Sequence, residues 1–209
     1  MHPGLFITLE GIEGVGKTTA QQFLQQYIEK HYAKSVITTR EPGGTPMAEA
    51  IREVLLGHYE ETMCPQTELL LMFASRVQHV EHLVKPHLQD GDVVISDRFV
   101  DASYAYQGGG RQVDQAMIHQ LENFCQKGLV PDLTILLDAP AEQGLTRAKQ
   151  RQGPYDRIEQ EAYDFFTEVR QAYLKRAQQY SSRYVVIDAT QSLECVQNEI
   201  QQAVDPLLQ

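Results

Sequence analysis

The chain has few cysteines, and their spacing is not that of a cross-linked or metal-binding protein. Only three occur in 209 residues, Cys64, Cys125 and Cys195, and no two form a C-x-x-C pair. An odd number of widely spaced cysteines argues against a disulfide framework and a zinc site, and it is typical of reduced cytoplasmic proteins. The seven histidines show no H-E-x-x-H spacing, so the signature of a metalloprotease helix is missing.

Long apolar segments and an excess of basic residues are missing too. No apolar run approaches 18 residues, and the first residues, MHPGLFITLEG, lack the basic and apolar regions of a signal peptide. We therefore expect neither a membrane span nor a signal peptide. The 18 basic and 28 acidic residues give a net charge of −10. Such a surface repels polyanions, so a nucleic-acid polymer is not an expected partner, whereas a small anion held by a few arginines is compatible with it.

Apolar residues make up 42% of the chain, enough for the core of a single domain over residues 1–209. Short continuous apolar runs alternate with longer amphipathic segments, as in a parallel sheet buried by helices on both faces. The predicted fold class is therefore α/β. Strands are expected at 5–10, 35–40, 93–97, 133–138 and 184–189, helices at 18–31, 66–84 and 161–180, and a helix N-cap at Ser192.

The segment LEGIEGVGKTTA, residues 9–20, meets the pattern G-x-x-x-x-G-K-[ST] with Gly11, Gly16, Lys17 and Thr18. It lies between a predicted strand and a predicted helix, the context that this pattern requires. Glycines let backbone N–H groups converge on phosphate oxygens, and the helix N-terminus adds partial positive charge. Lys17 then reaches the terminal phosphates and Thr18 ligates Mg²⁺. The segment predicts an ATP or GTP site; the alternative is a glycine-rich turn with a chance lysine.

Two further loops follow predicted strands. Asp97 and Arg98 end the third strand, where ligands of open parallel sheets bind. Asp97 there can orient a hydrated metal and Arg98 can clamp an oxyanion; the alternative is a surface ion pair. The loop TREPGGTP, residues 39–46, follows the second strand and is either part of the same crevice or an ordinary turn.

Two helical segments carry candidate ligand-binding side chains. Phe73 and Arg76 are three residues apart and lie on neighbouring positions of one helix face. An aromatic ring beside a guanidinium suits a flat base with carbonyl groups; the alternative is a core ring with an arginine at its rim. The segment 147–161 contains Arg147, Lys149, Arg151 and Arg157 around a Gly-Pro break. It is either a solvated helix face or a flap whose arginines close on a phosphoryl group.

These motifs together resemble the thymidylate kinase family, in the form found in many bacteria. The resemblance rests on EGIEGVGKTT, TREPGGT, FASRVQH, DRFVDASYAYQGGGR, PDLTILLD, DRIEQE and IDAT, which follow the family's order over about residues 4–200. It implies the P-loop nucleoside-monophosphate-kinase fold, a five-stranded parallel sheet with a LID at about 147–158. It also implies transfer of the ATP γ-phosphoryl group to dTMP with Mg²⁺, giving dTDP for dTTP synthesis, in a cytoplasmic homodimer.

The resemblance also implies roles for individual residues. Lys17 and Arg98 would be catalytic, with Arg151 and Arg157 as the LID candidates. Thr18 and Asp97 would lie at the metal. The ATP loop would comprise Gly11, Ile12, Glu13, Gly14, Val15, Gly16, Lys17 and Thr18. The dTMP site would comprise Glu13, Glu41, Arg52, Phe73, Arg76, Arg98, Ser103, Tyr106 and Gln107.

Within that site, Phe73 would stack on thymine and Arg76 would contact its carbonyl edge. Arg98 and Arg52 would hold the dTMP phosphate, and Ser103 and Gln107 would read the base edge. Glu13 and Glu41 would face the sugar hydroxyl or metal waters, and Tyr106 would crowd a 2′-hydroxyl.

The chain departs from some members of the family at two positions. Gly14 stands where some members carry an arginine in the loop, and its absence moves the expected catalytic arginine to the LID. The stacking ring lies three positions before the arginine here and four positions before it in several relatives, and this chain has Met72 at the position four before Arg76.

Three rival functions differ in what they need from the sequence. A P-loop kinase for another nucleoside monophosphate would share most motifs. A P-loop GTPase would need an N-K-x-D motif and a D-x-x-G after the third strand, and neither occurs. An ATP-dependent partitioning module would need no monophosphate site, and it leaves Arg52, Arg76 and Arg98 unexplained.

Overall fold

A five-stranded sheet forms the centre of the molecule in the computed structural model, which describes residues 3–149 and 157–209. The spatial order is β2-β3-β1-β4-β5, and all neighbouring strands are parallel. The strands are β1 (Leu5–Glu10), β2 (Val36–Arg40), β3 (Val93–Asp97), β4 (Leu133–Asp138) and β5 (Tyr184–Asp188).

Helices connect successive strands, as parallel pairing requires. The α-helices are α1 (Lys17–Tyr32), α2 (Pro46–Leu56), α3 (Pro65–His79), α4 (Lys85–Asp90), α5 (Val100–Ser103), α6 (Gln115–Gln126), α7 (Ala141–Lys149), α8 (Tyr163–Gln179) and α9 (Leu193–Leu208). Two π-helical segments, Val80–Val84 and Tyr104–Gly110, continue α3 and α5.

Apolar side chains leave both faces of the sheet, because successive residues of a strand point in opposite directions. On one face Ile7 and Ile95 pack in a cluster that includes Leu24 of α1 and Ile200 of α9. On the other face Phe6 and Val94 pack in a second cluster with Leu69 and Phe73 of α3. The sheet is therefore buried on both sides, as its continuous apolar strands predict.

The predicted secondary structure is confirmed in its main elements. All five strands lie at the predicted positions within one residue. Ser192 is the N-cap of α9, and its hydroxyl accepts a hydrogen bond from the Cys195 N–H. The predicted helix 66–84 differs in one respect, because regular α-helix gives way to π-helix at Val80. Among the described residues, no helix is both long enough and apolar enough to cross a membrane.

The strand order places a switch point beside β1. The chain leaves β1 for strands on one side of the sheet and crosses from β3 to β4 on the other side. Ligands of open parallel sheets bind beyond the carboxyl ends of strands at such a point. Here those ends are Glu10 of β1 and Asp97 of β3, and Leu9 pairs in register with Asp97.

Candidate active site

The glycine-rich loop after β1 forms the wall of one cavity. Gly14, Gly16, Lys17 and Thr18 line it together with Asp97. The Lys17 ammonium is buried and donates to the carbonyl oxygens of Gly11 at 3.1 Å and Ile12 at 2.8 Å. Burial and the nearby charge of Arg98 lower the pKa of Lys17 to about 8. A bound polyanion would raise the pKa of Lys17 again, so the charged form of this lysine would be stabilised by phosphate binding.

Asp97 brings an unpaired carboxylate oxygen to the same cavity. Its Oδ1 is buried and has no hydrogen-bond partner in the part of the chain that the structure describes. Mg²⁺ prefers oxygen ligands, and it is usually held by one or two carboxylates and substrate phosphates instead of a full protein cage. Within residues 3–149 and 157–209 no group of three or more acidic, histidine or cysteine side chains forms such a cage. Asp97 and Thr18 therefore fit a phosphate-bound Mg²⁺.

Arg98 lies at the boundary between this cavity and a second one. Its backbone is left-handed, with φ of 73°, and its N–H donates to the Leu9 carbonyl oxygen at 2.9 Å. The guanidinium donates to Gly11 O at 3.0 Å and to Glu13 Oε1 at 2.8 Å, and it lies 4.6 Å from the Tyr106 ring centroid. The Tyr106 hydroxyl donates to the same Glu13 carboxylate. Arg98 is therefore held in place by the end of β1 and by the glycine-rich loop that follows it.

The second cavity is lined by side chains from many parts of the fold. Its charged and polar lining mixes carboxylates, guanidiniums, hydroxyls and an amide, and its apolar lining comes mainly from helices. The lining residues are Glu13, Glu41, Pro42, Arg52, Leu56, Met72, Arg76, Arg98, Phe99, Ala102, Ser103, Tyr106, Gln107 and Ile158.

Arg76 is the buried cation of this second cavity, only 2% exposed. Its Nε donates to Glu41 at 2.7 Å, and its two Nη atoms donate to Ser103 Oγ at 3.0 Å and Phe99 O at 3.1 Å. His79 contacts the other Glu41 oxygen at 2.9 Å. Burial opposes ionisation of Glu41, but the Arg76 charge and the His79 hydrogen bond outweigh it and lower its pKa. The carboxylate thus fixes the direction of the Arg76 guanidinium.

Glu68 of α3 forms a second ionic group behind the cavity wall. Its carboxylate accepts from Gln107 Nε2 at 2.8 Å and from Arg157 Nη2 at 2.7 Å. Arg111 pairs with the same carboxylate at 3.2 Å and with Glu161 at 2.6 Å. These contacts link the cavity wall to Arg157, near the end of the predicted LID, and to Glu161 just after it.

Comparisons with known proteins agree with this geometry. A family model described as thymidylate kinase matches residues 9–200. A thymidylate kinase of Pseudomonas putida strain GB-1 is 54% identical over 94% of this chain and 93% of its own length. One of Hahella chejuensis is 51% identical over 98% of this chain and 97% of its own.

The chain belongs to the thymidylate kinase family. The crystal structure of a thymidylate kinase from Ehrlichia chaffeensis, 31% identical, superposes with a TM-score of 0.78 over 99% of both chains. The resemblance stated from the motifs and the α/β nucleotide-kinase fold are both confirmed.

The structure brings most of the predicted site residues of this family together. The predicted acceptor residues that line the second cavity are Glu13, Glu41, Arg52, Arg76, Arg98, Ser103, Tyr106 and Gln107. Three of them, Glu13, Arg52 and Arg98, also line the loop cavity beside Lys17. The two cavities therefore meet at these three side chains, and the ligand-binding roles of all the lining residues stay predictions.

Phe73 is the predicted acceptor residue that the structure places elsewhere. Its ring is 2% exposed and packs in the core, with the Arg76 guanidinium 4.6 Å from its centroid. Met72, one residue earlier, lines the second cavity. The Phe73 ring thus lies against the Arg76 guanidinium in the core, whereas Met72 faces the cavity on this turn. The predicted stacking of Phe73 on the base stays a prediction.

The LID arginines are only partly described. Arg151 lies outside the described residues. Arg157 is held by Glu68 and donates to Leu55 O at 3.2 Å, so its guanidinium lies beside the second cavity and not at the loop. Arg147 lines the loop cavity and donates to Ala189 O at 2.9 Å. The expected catalytic role of Arg157 therefore requires it to leave Glu68, and it stays a prediction.

A close backbone contact explains why the loop carries glycine at position 14. Gly14 has φ of 74°, and a Cβ there would collide with the Gly144 carbonyl oxygen of α7. A Cβ on Gly144 would in turn lie 2.6 Å from Glu13 O. α7 therefore packs directly against the loop, which leaves no room for an arginine at this position. The helix that leads into the LID is thereby docked on the phosphate-binding loop.

Sequence reasoning missed one residue of the site, Glu68, and it named Met72 only as the residue four positions before Arg76. Residues 68, 72 and 76 are four apart and share one face of α3, and all three are part of the cavity wall or lie directly behind it. Extending the same spacing by four more residues, from Met72 back to position 68, would have found Glu68 as well. The contact between Glu68 and Gln107 could not be predicted from local sequence, because the two residues are 39 positions apart.

Proposed function

We propose that this chain transfers the γ-phosphoryl group of ATP to the 5′-phosphate of dTMP. A phosphate oxygen of dTMP attacks the γ-phosphorus, and the bond from γ-phosphorus to the bridging oxygen of ADP breaks, giving dTDP and ADP. The observation that carries this proposal is that the loop cavity and the second cavity share Glu13, Arg52 and Arg98. Donor and acceptor phosphates bound in two such cavities would meet at one place.

At the donor end, the backbone N–H groups of residues 11–18 hold the ATP phosphates and Lys17 contacts the terminal ones. The Asp97 Oδ1, which has no hydrogen-bond partner among the described residues, and the Thr18 hydroxyl would hold the Mg²⁺ that accompanies ATP. That ion, when bound, neutralises charge on the β- and γ-phosphates.

At the junction, Arg98 and Arg52 clamp the acceptor phosphate. Phosphoryl transfer depends on positioning and on charge stabilisation at the equatorial oxygens, so a fixed guanidinium there acts directly on the rate. Arg98 is fixed by Leu9, Gly11 and Glu13. We expect a LID arginine, either Arg151 or an Arg157 that has left Glu68, to add the remaining positive charge at the transferred phosphoryl group.

At the base end, the cavity offers the groups that thymine needs. Arg76 and Ser103 supply N–H and O–H donors for carbonyl oxygens, and Gln107 reads the N3 edge. Met72 covers the face of the base. Tyr106, held by Glu13, crowds the sugar C2′ position and favours deoxyribose.

We further propose that the enzyme works as a cytoplasmic homodimer. Large apolar side chains are exposed on three helices that pack side by side, α2 with α3 and α3 with α6. They include Val54 of α2, 45% exposed, Leu70 of α3, 58%, and Phe124 of α6, 77%. A second copy of this chain would cover such a face. Sedimentation analysis of Phe124→Asp should show a shift from dimer to monomer.

An ADP-release assay with dTMP, dUMP, UMP, AMP and GMP tests the activity. We expect dTMP to be used best. A missing methyl group costs about 1–3 kcal/mol in an apolar pocket, so dUMP should be roughly 10- to 200-fold poorer. Faster turnover of any other monophosphate would assign the chain a different acceptor.

A further inference from the structure

Glu68 is buried behind the second cavity, which we call the acceptor cavity, and both of its carboxylate oxygens accept hydrogen bonds. It is 1% exposed and accepts from one amide and two guanidiniums, those of Gln107, Arg111 and Arg157. Burial opposes its ionisation, but the Gln107 hydrogen bond and the two arginines outweigh burial and lower the pKa of Glu68. The side chain is therefore an anion at neutral pH.

An ionised carboxylate has no N–H or O–H and can only accept hydrogen bonds. The Gln107 amide must therefore turn its NH₂ towards Glu68, where Nε2 lies 2.8 Å from Oε1. Reversing the amide would place two oxygens against each other in a buried site, which is strongly unfavourable. The charge of Glu68 thus fixes the orientation of the Gln107 amide, with the NH₂ group towards Glu68 and the carbonyl oxygen away from it.

The other end of the amide is its carbonyl oxygen, and Gln107 lines the acceptor cavity. We find no hydrogen bond from any other described residue to that oxygen. It is thus available as an acceptor for a ligand. Arg76 and Ser103 in the same cavity are donors, because a guanidinium cannot accept and the Ser103 oxygen already accepts from Arg76.

We propose that Glu68 is a positioning residue for base selection: it orients Gln107 so that the cavity accepts pyrimidines with an N3–H and rejects cytosine. Thymine and uracil present a donor at N3, whereas cytosine presents an acceptor there. An acceptor fixed at this position pairs with the first two bases and opposes the third. The inference rests on the proposed dTMP kinase activity and assigns part of its specificity to a residue outside the cavity.

The test compares kcat/KM for dTMP and dCMP in the wild type and in Glu68→Gln. The glutamine can donate as well as accept, so the Gln107 amide is free to reverse. We expect the dTMP to dCMP ratio to fall by at least about tenfold, since sites built to hydrogen-bond a substrate group discriminate strongly. The loss should appear as a higher KM for dTMP more than as a lower kcat.

Glu161→Gln is the matched control. It removes the same charge from the same arginine, Arg111, and the structure shows no contact between Glu161 and Gln107. We expect its dTMP to dCMP ratio to stay within about twofold of the wild type, because the Gln107 amide keeps its ionised partner Glu68. An equal fall in both variants would overturn the proposal, because it would trace the effect to the arginines and not to the amide.

Gln107→Met leaves the ion pairs of Glu68 with Arg111 and Arg157 in place. It therefore tests the role of the Gln107 amide even if Glu68→Gln folds poorly. It should lower the ratio to a similar extent, and the double variant should fall no further. An additive double variant, or an unchanged ratio in Gln107→Met, contradicts the proposal. Turnover by the wild type distinguishes failure of this proposal from failure of the proposed function. A wild type that does not phosphorylate dTMP would contradict the dTMP kinase activity, not the role of Glu68.

Discussion

Two groups of paired arginines lie close to Glu10, and they differ in whether their members line a cavity. The closed cluster is Asp101, Arg176 and Arg183. Asp101 is fully buried and contacts Arg176 at 2.6 Å and Arg183 at 2.8 Å. None of the three lines the loop cavity or the acceptor cavity.

The open cluster is Glu13, Arg98 and Tyr106. Its ion pair is of similar length, 2.8 Å, but Glu13 and Arg98 line both cavities. A guanidinium has five N–H donors, and Glu13 accepts from only one of the two Nη atoms of Arg98. The comparison suggests that burial and pairing alone do not mark a functional arginine. What distinguishes it is access to a cavity.

The largest expected effect is the loss of activity in Arg98→Ala. Removing a phosphate-clamping arginine should lower dTMP turnover by about 10³-fold, or about 4 kcal/mol in the barrier. ATP binding, measured by calorimetry, should persist because the loop and Lys17 are intact. Arg40→Ala is the control, since Arg40 pairs in register with Asp97 on the neighbouring strand but lies on the surface. Normal turnover in Arg98→Ala would remove Arg98 from the acceptor site.

Asp101→Asn should have the opposite profile. Breaking a buried ion pair on one side leaves two unpaired guanidiniums and typically costs about 3–5 kcal/mol of stability. We expect that loss in urea unfolding, with kcat within about threefold of the wild type at temperatures where the variant is folded. A large fall in kcat without a stability loss would show that the closed cluster is part of the active site.

Glu10 connects the two clusters and should make stability depend on pH. Its carboxylate accepts from Phe99 N–H at 2.8 Å and from Tyr173 OH at 2.7 Å, and the Tyr173 hydroxyl contacts Arg98 at 3.2 Å. Burial, and then the charge of Asp101, raise the pKa of Glu10 from 4.5 to about 8. Its contribution to stability is therefore complete below pH 4.5 and is lost as the pH rises to about 8.

Glu10→Gln tests this linkage, because an amide does not titrate. The wild type should lose stability relative to the variant as the pH rises from 5 to 8, by at most about 1.4 kcal/mol per pH unit. Urea midpoints across that range measure the difference. Parallel curves for the two proteins would mean that Glu10 has an ordinary pKa, with Arg98 and Tyr173 compensating for its burial.

How far apart the contacting residues lie along the chain decides what could be predicted from the sequence. The glycine-rich loop and the end of β3 were predictable because their residues are local and follow apolar strands. The partners of Asp101 lie 75 and 82 residues away, and Glu68 meets Arg157 across 89 residues. No periodicity reports such pairings. Phe73 lies in the core and Met72 at the cavity because one residue along a helix rotates a side chain by about 100°.

The smallest expected effect is that of Tyr184→Phe beside the closed cluster. The Tyr184 ring lies 4.7 Å from the Arg183 guanidinium, but its buried hydroxyl has no hydrogen-bond partner among the residues described. Burying an unpaired hydroxyl is unfavourable, so its removal should leave stability unchanged or raise it by up to about 1 kcal/mol. Urea unfolding measures the change, with Tyr173→Phe as the contrasting variant, because that hydroxyl donates to Glu10 and its loss should destabilise. A clear loss of stability in Tyr184→Phe would mean that this hydroxyl has a bound partner, and the closed cluster would then extend beyond its three charged residues.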